Sequence, residues 1–262
     1  MNLIEKILKF IHCNIFFLKR KNVKIETIDD IYKFLKIKKK CKSYLLWVPV
    51  EKVCMHGAFR YGNGWHPFIG FIEKGISNLE VFYKNFNPKN LAQMYFFNEE
   101  NMDKGMDLPV WELPWVSRKI MREPAAEGGL SVEKHGVSYF GPVSSEKLAF
   151  ESKRLTTTLN SIKKTGYKPE DEINGFFMEH ENDFVFFVRG GKHRTAVLSF
   201  LRYKKIPVVI RDGWQPIYHS KDVKDWELVK LGKVSESFAL KVYVNYFINN
   251  GIFQFNKINN YE

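Results

Sequence analysis

The chain has 262 residues, 45% of them hydrophobic and 16% aromatic, and shows no internal repeat. That is ample for a packed core in one large domain or two modest ones, and it excludes a disordered or low-complexity protein. The formal net charge of +12 suits nucleic acid, an anionic membrane or phosphorylated small molecules as partners, and equally a Lys-, Ile- and Asn-rich composition drawn from an AT-rich genome.

Three cysteines, Cys13, Cys41 and Cys54, are an odd number at spacings that fit no CxxC pair. A reducing, cytosolic compartment is expected, and no metal ligands are assigned. Residues 1–21 place Leu3, Ile4, Ile7, Leu8 and Ile11 at helical spacing ahead of Lys19, Arg20 and Lys21. The apolar run is too short to span a bilayer. This amphipathic helix either docks on the core or lies peripherally on the inner, anionic membrane surface.

Residues 22–135 read as a mixed α/β region with a long connector. Thr27–Leu35 is expected to be a helix with Ile28, Ile31, Tyr32 and Leu35 on its apolar face. Tyr44–Val50 reads as a strand, and Gly57–Phe68 as an irregular loop carrying Arg60, Trp65 and His66. Ser77 is a candidate cap for a helix ending before Pro88, and Asn90–Phe97 is a candidate for another. From Asn98 to Gly141 a Gly- and Pro-rich connector holds Trp111, Trp115, Arg118 and Arg122, and reads as one wall of a site.

Residues 136–212 read as a phosphate-binding module, and residues 213–262 as a helical tail with Trp226, Leu228, Phe238, Leu240 and Val244 as core. Ser144–Lys164 has a cap, a buried stripe of Leu148, Leu155, Leu159 and Ile162, and a stop at Gly166. Ile173–Met178 and Phe184–Val188 are expected strands, Thr195–Tyr203 a helix, and Ile206–Ile210 a strand. Between strand and helix stands Arg189-Gly190-Gly191-Lys192-His193-Arg194. Its glycines let backbone N–H groups turn inward, the helix start adds unpaired donors, and Arg194 can clamp two phosphate oxygens.

Residues from about Phe140 to Asp212 resemble the ParB/sulfiredoxin fold. The resemblance rests on Arg154, Leu155, Ser161, Ile162 and Gly166 in the helix, then Gly191, Lys192, His193 and Arg194 as a G-x-H-R loop. Ala196 and the Ile206-Pro207-Val208 strand complete it. His66-Pro67-Phe68 and Gly141-Pro142-Val143-Ser144 loosely resemble members found among bacterial surface-polysaccharide genes. The resemblance implies an α+β fold with a ParB/sulfiredoxin-like module, an N-terminal extension and C-terminal helices. It implies nucleotide phosphates on Gly190, Gly191, Lys192, His193, Arg194 and Thr195. Lys192 stands where sulfiredoxins carry their reactive cysteine, which argues against their chemistry; Gly190 stands where free serine kinases carry Asp.

The expected function is a nucleotide-dependent kinase acting on a hydroxyl of a small molecule or glycan precursor. ATP or ADP, with CTP as a further candidate, would serve with Mg²⁺. Glu151, Glu146 and His193 are the acid–base candidates, and Arg118, Arg122, Arg60 and His66 are candidates to hold an anionic acceptor. The alternative is a CTP- or ATP-binding switch without chemistry, or a nucleic-acid-binding relative; residues 213–262 carry no convincing helix-turn-helix.

Overall fold

The computed structural model describes residues 20–38, 44–62, 65–98, 103–117, 124–168, 170–248 and 256–258. The helix expected over residues 1–21 therefore lies almost wholly outside the described residues, as do Arg118 and Arg122.

β1 (Lys21–Lys24) leads into α1 (Ile28–Lys38). Asp30 Oδ2 accepts from the backbone N–H groups of Glu26 and Thr27 at 3.0 Å, and the Asp30 N–H donates to Thr27 Oγ1 at 3.4 Å. This reciprocal cap starts the helix. Its buried face is Ile31 and Phe34, while Tyr32 turns outward, so the stripe is rotated from the expected one.

β2 (Tyr44–Pro49) and the two-residue β3 (Val53–Cys54) follow. Where an irregular loop was expected up to Phe68, α2 (Pro67–Lys74) begins. His66 caps it, Nδ1 accepting from the Phe68 N–H at 3.2 Å, and Pro67 occupies the first helical position, where no N–H is needed. α3 (Ile76–Asn85) starts from Gly75 at φ +87° rather than from Ser77. α4 (Leu91–Met94) is capped by Asn90, and α5 (Val132–His135) lies within the long connector.

α6 (Ser145–Thr165) runs from the Ser144 cap to Gly166 at φ +74°. β4 (Asn174–His180) and β5 (Asp183–Gly190) form a hairpin, with Glu181 and Asn182 both at positive φ as its two-residue turn demands. α7 (Lys192–Phe200) starts three residues before the expected Thr195 because Gly191 is its N-cap, at φ +87°. β6 (Lys205–Val208) follows. The tail is not purely helical: β7 (Ile217–His219) and a 3₁₀ turn over Ser220–Asp225 precede α8 (Glu227–Lys230) and α9 (Glu236–Ile248).

The strands sort into two mixed sheets, β1-β2-β6 and β3-β5-β4-β7. Strands from both halves of the chain pair: β2 runs antiparallel to β6, and β3 parallel to β5. A bridge from Asn174 to Val209 links the two sheets. The fold is α+β. α6 and α7 pack together, which brings the start of α7, at the end of β5, beside the N-terminal half of α6.

Candidate functional site

A cleft of about 700 Å³ opens at the start of α7, with the Arg189–Arg194 segment on one side, α6 on another and parts of the 124–139 connector on a third. Gly190 and Gly191 are required by the turn. A Cβ on Gly190 would meet Asn174 Nδ2 at 2.6 Å, and Gly191 holds the left-handed conformation. No side chain caps α7, so the first-turn N–H groups of Lys192, His193 and Arg194 are the donors a helix leaves without internal acceptors.

Beside this helix start lies a buried charge network. Glu151 is fully buried and accepts from His193 Nε2 at 2.6 Å. Lys147, one turn earlier on the same face of α6, pairs with Glu151 at 2.8 Å and with Glu127 of the connector at 3.2 Å. Glu127 also pairs closely with Arg154. Burial raises the Glu151 carboxyl, but the hydrogen bond and charge of His193, then those of Lys147, outweigh it and hold it at about 2.

Burial holds His193 below the ordinary imidazole range against the pull of Glu151. At neutral pH the pair is therefore an ionised carboxylate and a neutral imidazole. A carboxylate only accepts, so the imidazole proton sits on Nε2 and the lone pair on Nδ1. Lys192 lies with Nζ 4.2 Å from the centre of the Tyr139 ring. Burial first, then the Arg189 charge, lowers its amine to about 8. The Arg189 guanidinium stands 5.3 Å from the centre of the Trp214 ring.

The cleft thus gathers Gly190, Gly191, Lys192, His193 and Arg194, with Glu151 directly behind His193. Arg194 Nη1 donates to the Glu172 carbonyl at 3.3 Å, and Nη2 lies 3.8 Å from Asp171. Thr195 is buried, its hydroxyl donating to the Gly191 carbonyl at 3.0 Å, which braces the turn from behind.

Other candidates stand elsewhere. Glu146 is exposed at the start of α6 beside Ser144 and Ser145, and the Ser144 hydrogen bond lowers its carboxyl. Arg60 is buried, donating to the Glu51 carbonyl at 3.0 Å and to the Tyr246 carbonyl, and is thereby tied to backbone away from the cleft. His66 is buried under α2, where it caps that helix and stacks on Tyr61 at 4.1 Å. Glu127, Tyr139, Lys147 and Lys153 line the cleft without having been expected there. Lys147 had a signal: it lies four residues before Glu151 and eight before Leu155, a charged residue on the buried stripe. The connector was expected to wall a site, and its 124–139 part does line the cleft, but nothing in the sequence singled out Glu127 or Tyr139 within it.

Among the described residues, no group of three His, Cys, Asp or Glu side chains gathers as a metal site, and no helix is long and apolar enough to cross a membrane. The chain matches no protein-family model, no curated protein and no solved structure, so the geometry of the cleft carries the functional reading.

Proposed function

We propose that the cleft binds nucleotide phosphates and that the chain is a cytoplasmic, ParB/sulfiredoxin-like phosphotransferase acting on a hydroxyl of a small molecule or glycan precursor. One observation carries this reading: the uncapped start of α7, with Lys192 and Arg194 in its first turn, opens into the same cleft as a His193 oriented by a buried glutamate.

The phosphates of ATP, ADP or CTP would lie on the first-turn N–H groups, neutralised by Lys192 and Arg194. The acceptor hydroxyl gives its proton to His193 Nδ1 as its oxygen bonds the terminal phosphorus. The bond from that phosphorus to the bridging oxygen breaks, and the shortened nucleotide leaves with the bond pair. Glu151 acts through His193, fixing its tautomer and stabilising the imidazolium that forms. Glu127 at the cleft and Glu151 behind His193 are each held by cations, so Mg²⁺ would arrive as the nucleotide's own complex, part of the substrate.

A nucleotide-gated switch without chemistry is the second reading. The same tied-up carboxylates favour it, because Lys147, Arg154 and His193 hold Glu127 and Glu151 away from direct work as a base or a metal ligand. Incubating the full chain with terminally labelled ATP, ADP or CTP and a panel of hydroxyl compounds separates the two. Label transferred to an acceptor supports the enzyme; saturable binding without transfer supports the switch.

A further inference from the structure

The His66-Pro67-Phe68 segment does not line the cleft, yet its last ring lies against the cleft's histidine. Phe68 is fully buried in the first turn of α2. Its ring stacks on the His193 imidazole, with centres 5.0 Å apart and planes inclined by 15°. The segment is anchored beyond that contact. His66 caps α2 through the Phe68 N–H and stacks on Tyr61, whose carbonyl accepts from the Ser199 hydroxyl near the far end of α7. The start of α2 is thus tied to α7 directly at His193 and, through Tyr61, at Ser199.

The Phe68 ring supplies what Glu151 does not. The Glu151 hydrogen bond holds one atom of the imidazole, Nε2, and leaves the ring able to turn about that bond. An aromatic face laid on the imidazole fixes its plane. Nδ1 makes no hydrogen bond among the described residues, and His193 lines the cleft with 11% of its side chain exposed. Once the imidazole is protonated, the same aromatic face attracts the cation.

We propose that Phe68 is a positioning residue, whose ring holds the His193 imidazole in the plane that turns Nδ1 to the cleft and stabilises the imidazolium formed when Nδ1 accepts a proton. The inference rests on His193 as the proton acceptor of the proposed transfer, but the imidazole titrates whether or not transfer occurs. The other charged or titratable groups around it are Glu151, Lys147 and Arg154 from α6, Glu127 from the connector, Lys192 and Arg194 from α7, and His66 from α2. F68L removes none of them.

NMR titration of the His193 imidazole in the full chain tests the proposal, with F82L as the control. Phe82 is equally buried but packs on Phe59, Trp65 and Phe86 instead. F68L is expected to lower the protonation midpoint of His193 by about 0.5 pH unit or more, and F82L to leave it at the wild-type value. Transfer of label to a hydroxyl acceptor is expected to fall about tenfold in kcat in F68L, with the KM for nucleotide unchanged. If the wild type transfers no label, the phosphotransferase reading falls and the titration still decides the role of Phe68. Thermal melts show which variants fold, and F68M, with a flexible unbranched side chain, carries the same measurement if F68L does not. A His193 midpoint unchanged in the folded Phe68 variant, or moved equally by F82L, would overturn the proposal.

Discussion

The cleft and a second cavity of about 560 Å³, lined by Tyr218, His219 and Asp222 among others, each hold a histidine clamped by a glutamate, His193 on Glu151 at 2.6 Å and His219 on Glu179 at 2.7 Å, but in opposite electrostatic settings. Around His193 stand Lys147, Lys153, Arg154, Arg189, Lys192 and Arg194; around His219 the described lining offers only carboxylates and uncharged groups. The imidazole–carboxylate pair is thus a positioning device. The surrounding walls differ in charge, mostly basic around His193 and without Lys or Arg around His219. Burial differs as well: the Glu151 side chain is 0% exposed and Glu179 is 13% exposed. A charge is more tightly bound to its partners where water cannot replace them.

The largest expected effect separates the pairs by chemistry. His193→Ala removes the proton acceptor, and transfer to a hydroxyl acceptor should fall by about 10²–10⁴ in kcat with a much smaller change in KM for nucleotide. Steady-state kinetics checks this, and wild-type turnover in the variant would place the proton acceptor elsewhere.

Stability comes next. Glu151→Gln leaves Lys147 buried with a weakened set of counter-charges, and urea unfolding should report a loss of about 3–5 kcal/mol, against a smaller one for Glu179→Gln. The pH dependence has a definite sign. The folded carboxyl is held at about 2, below its ordinary 4.5, so its contribution is full above that ordinary value and is lost as pH falls towards about 2. Glu151→Gln should flatten the stability profile in that window. Equal losses for the two glutamate variants would erase the distinction drawn from burial.

Lys192 gives the next contrast. Its amine faces Arg189, Arg154, Glu127 and Glu151, and loses its proton as pH rises through about 8. Phosphate binds the cation, so nucleotide affinity should weaken above about pH 8, by up to about tenfold per pH unit, and Lys192→Arg should remove that slope. A flat affinity profile for the wild type would remove Lys192 from phosphate recognition.

The smallest expected effect concerns residues 1–21. If they contact membrane, liposome flotation should require anionic lipid and fade with salt, each basic residue contributing about 1 kcal/mol. Equal flotation of the full chain and of residues 22–262 would remove the membrane contact.

The helix start at α7 was legible because Gly-Gly followed by basic residues has a local physical meaning. Glu151 was legible as an acidic residue three before Arg154 and four before Leu155 on a strongly periodic helix. Glu127 and Tyr139 were not, because the connector has no period and its course is set by what it packs against. α2 was missed because its cap is a histidine, which is not a strong capping type. The pairings of β2 with β6 and β3 with β5 join distant parts of the chain, and a two-residue strand such as β3 leaves no alternation to read.

The central claim is that the start of α7 holds nucleotide phosphates. Calorimetric titration of ATP, ADP and CTP into the wild type and Arg194→Ala tests it most directly. Arg194 is partly exposed, so the fold should survive its loss. The account predicts saturable binding by the wild type, weakened by about 1.5–3 kcal/mol or more in the variant. Equal affinity in both proteins, or no nucleotide binding by the wild type, would contradict it.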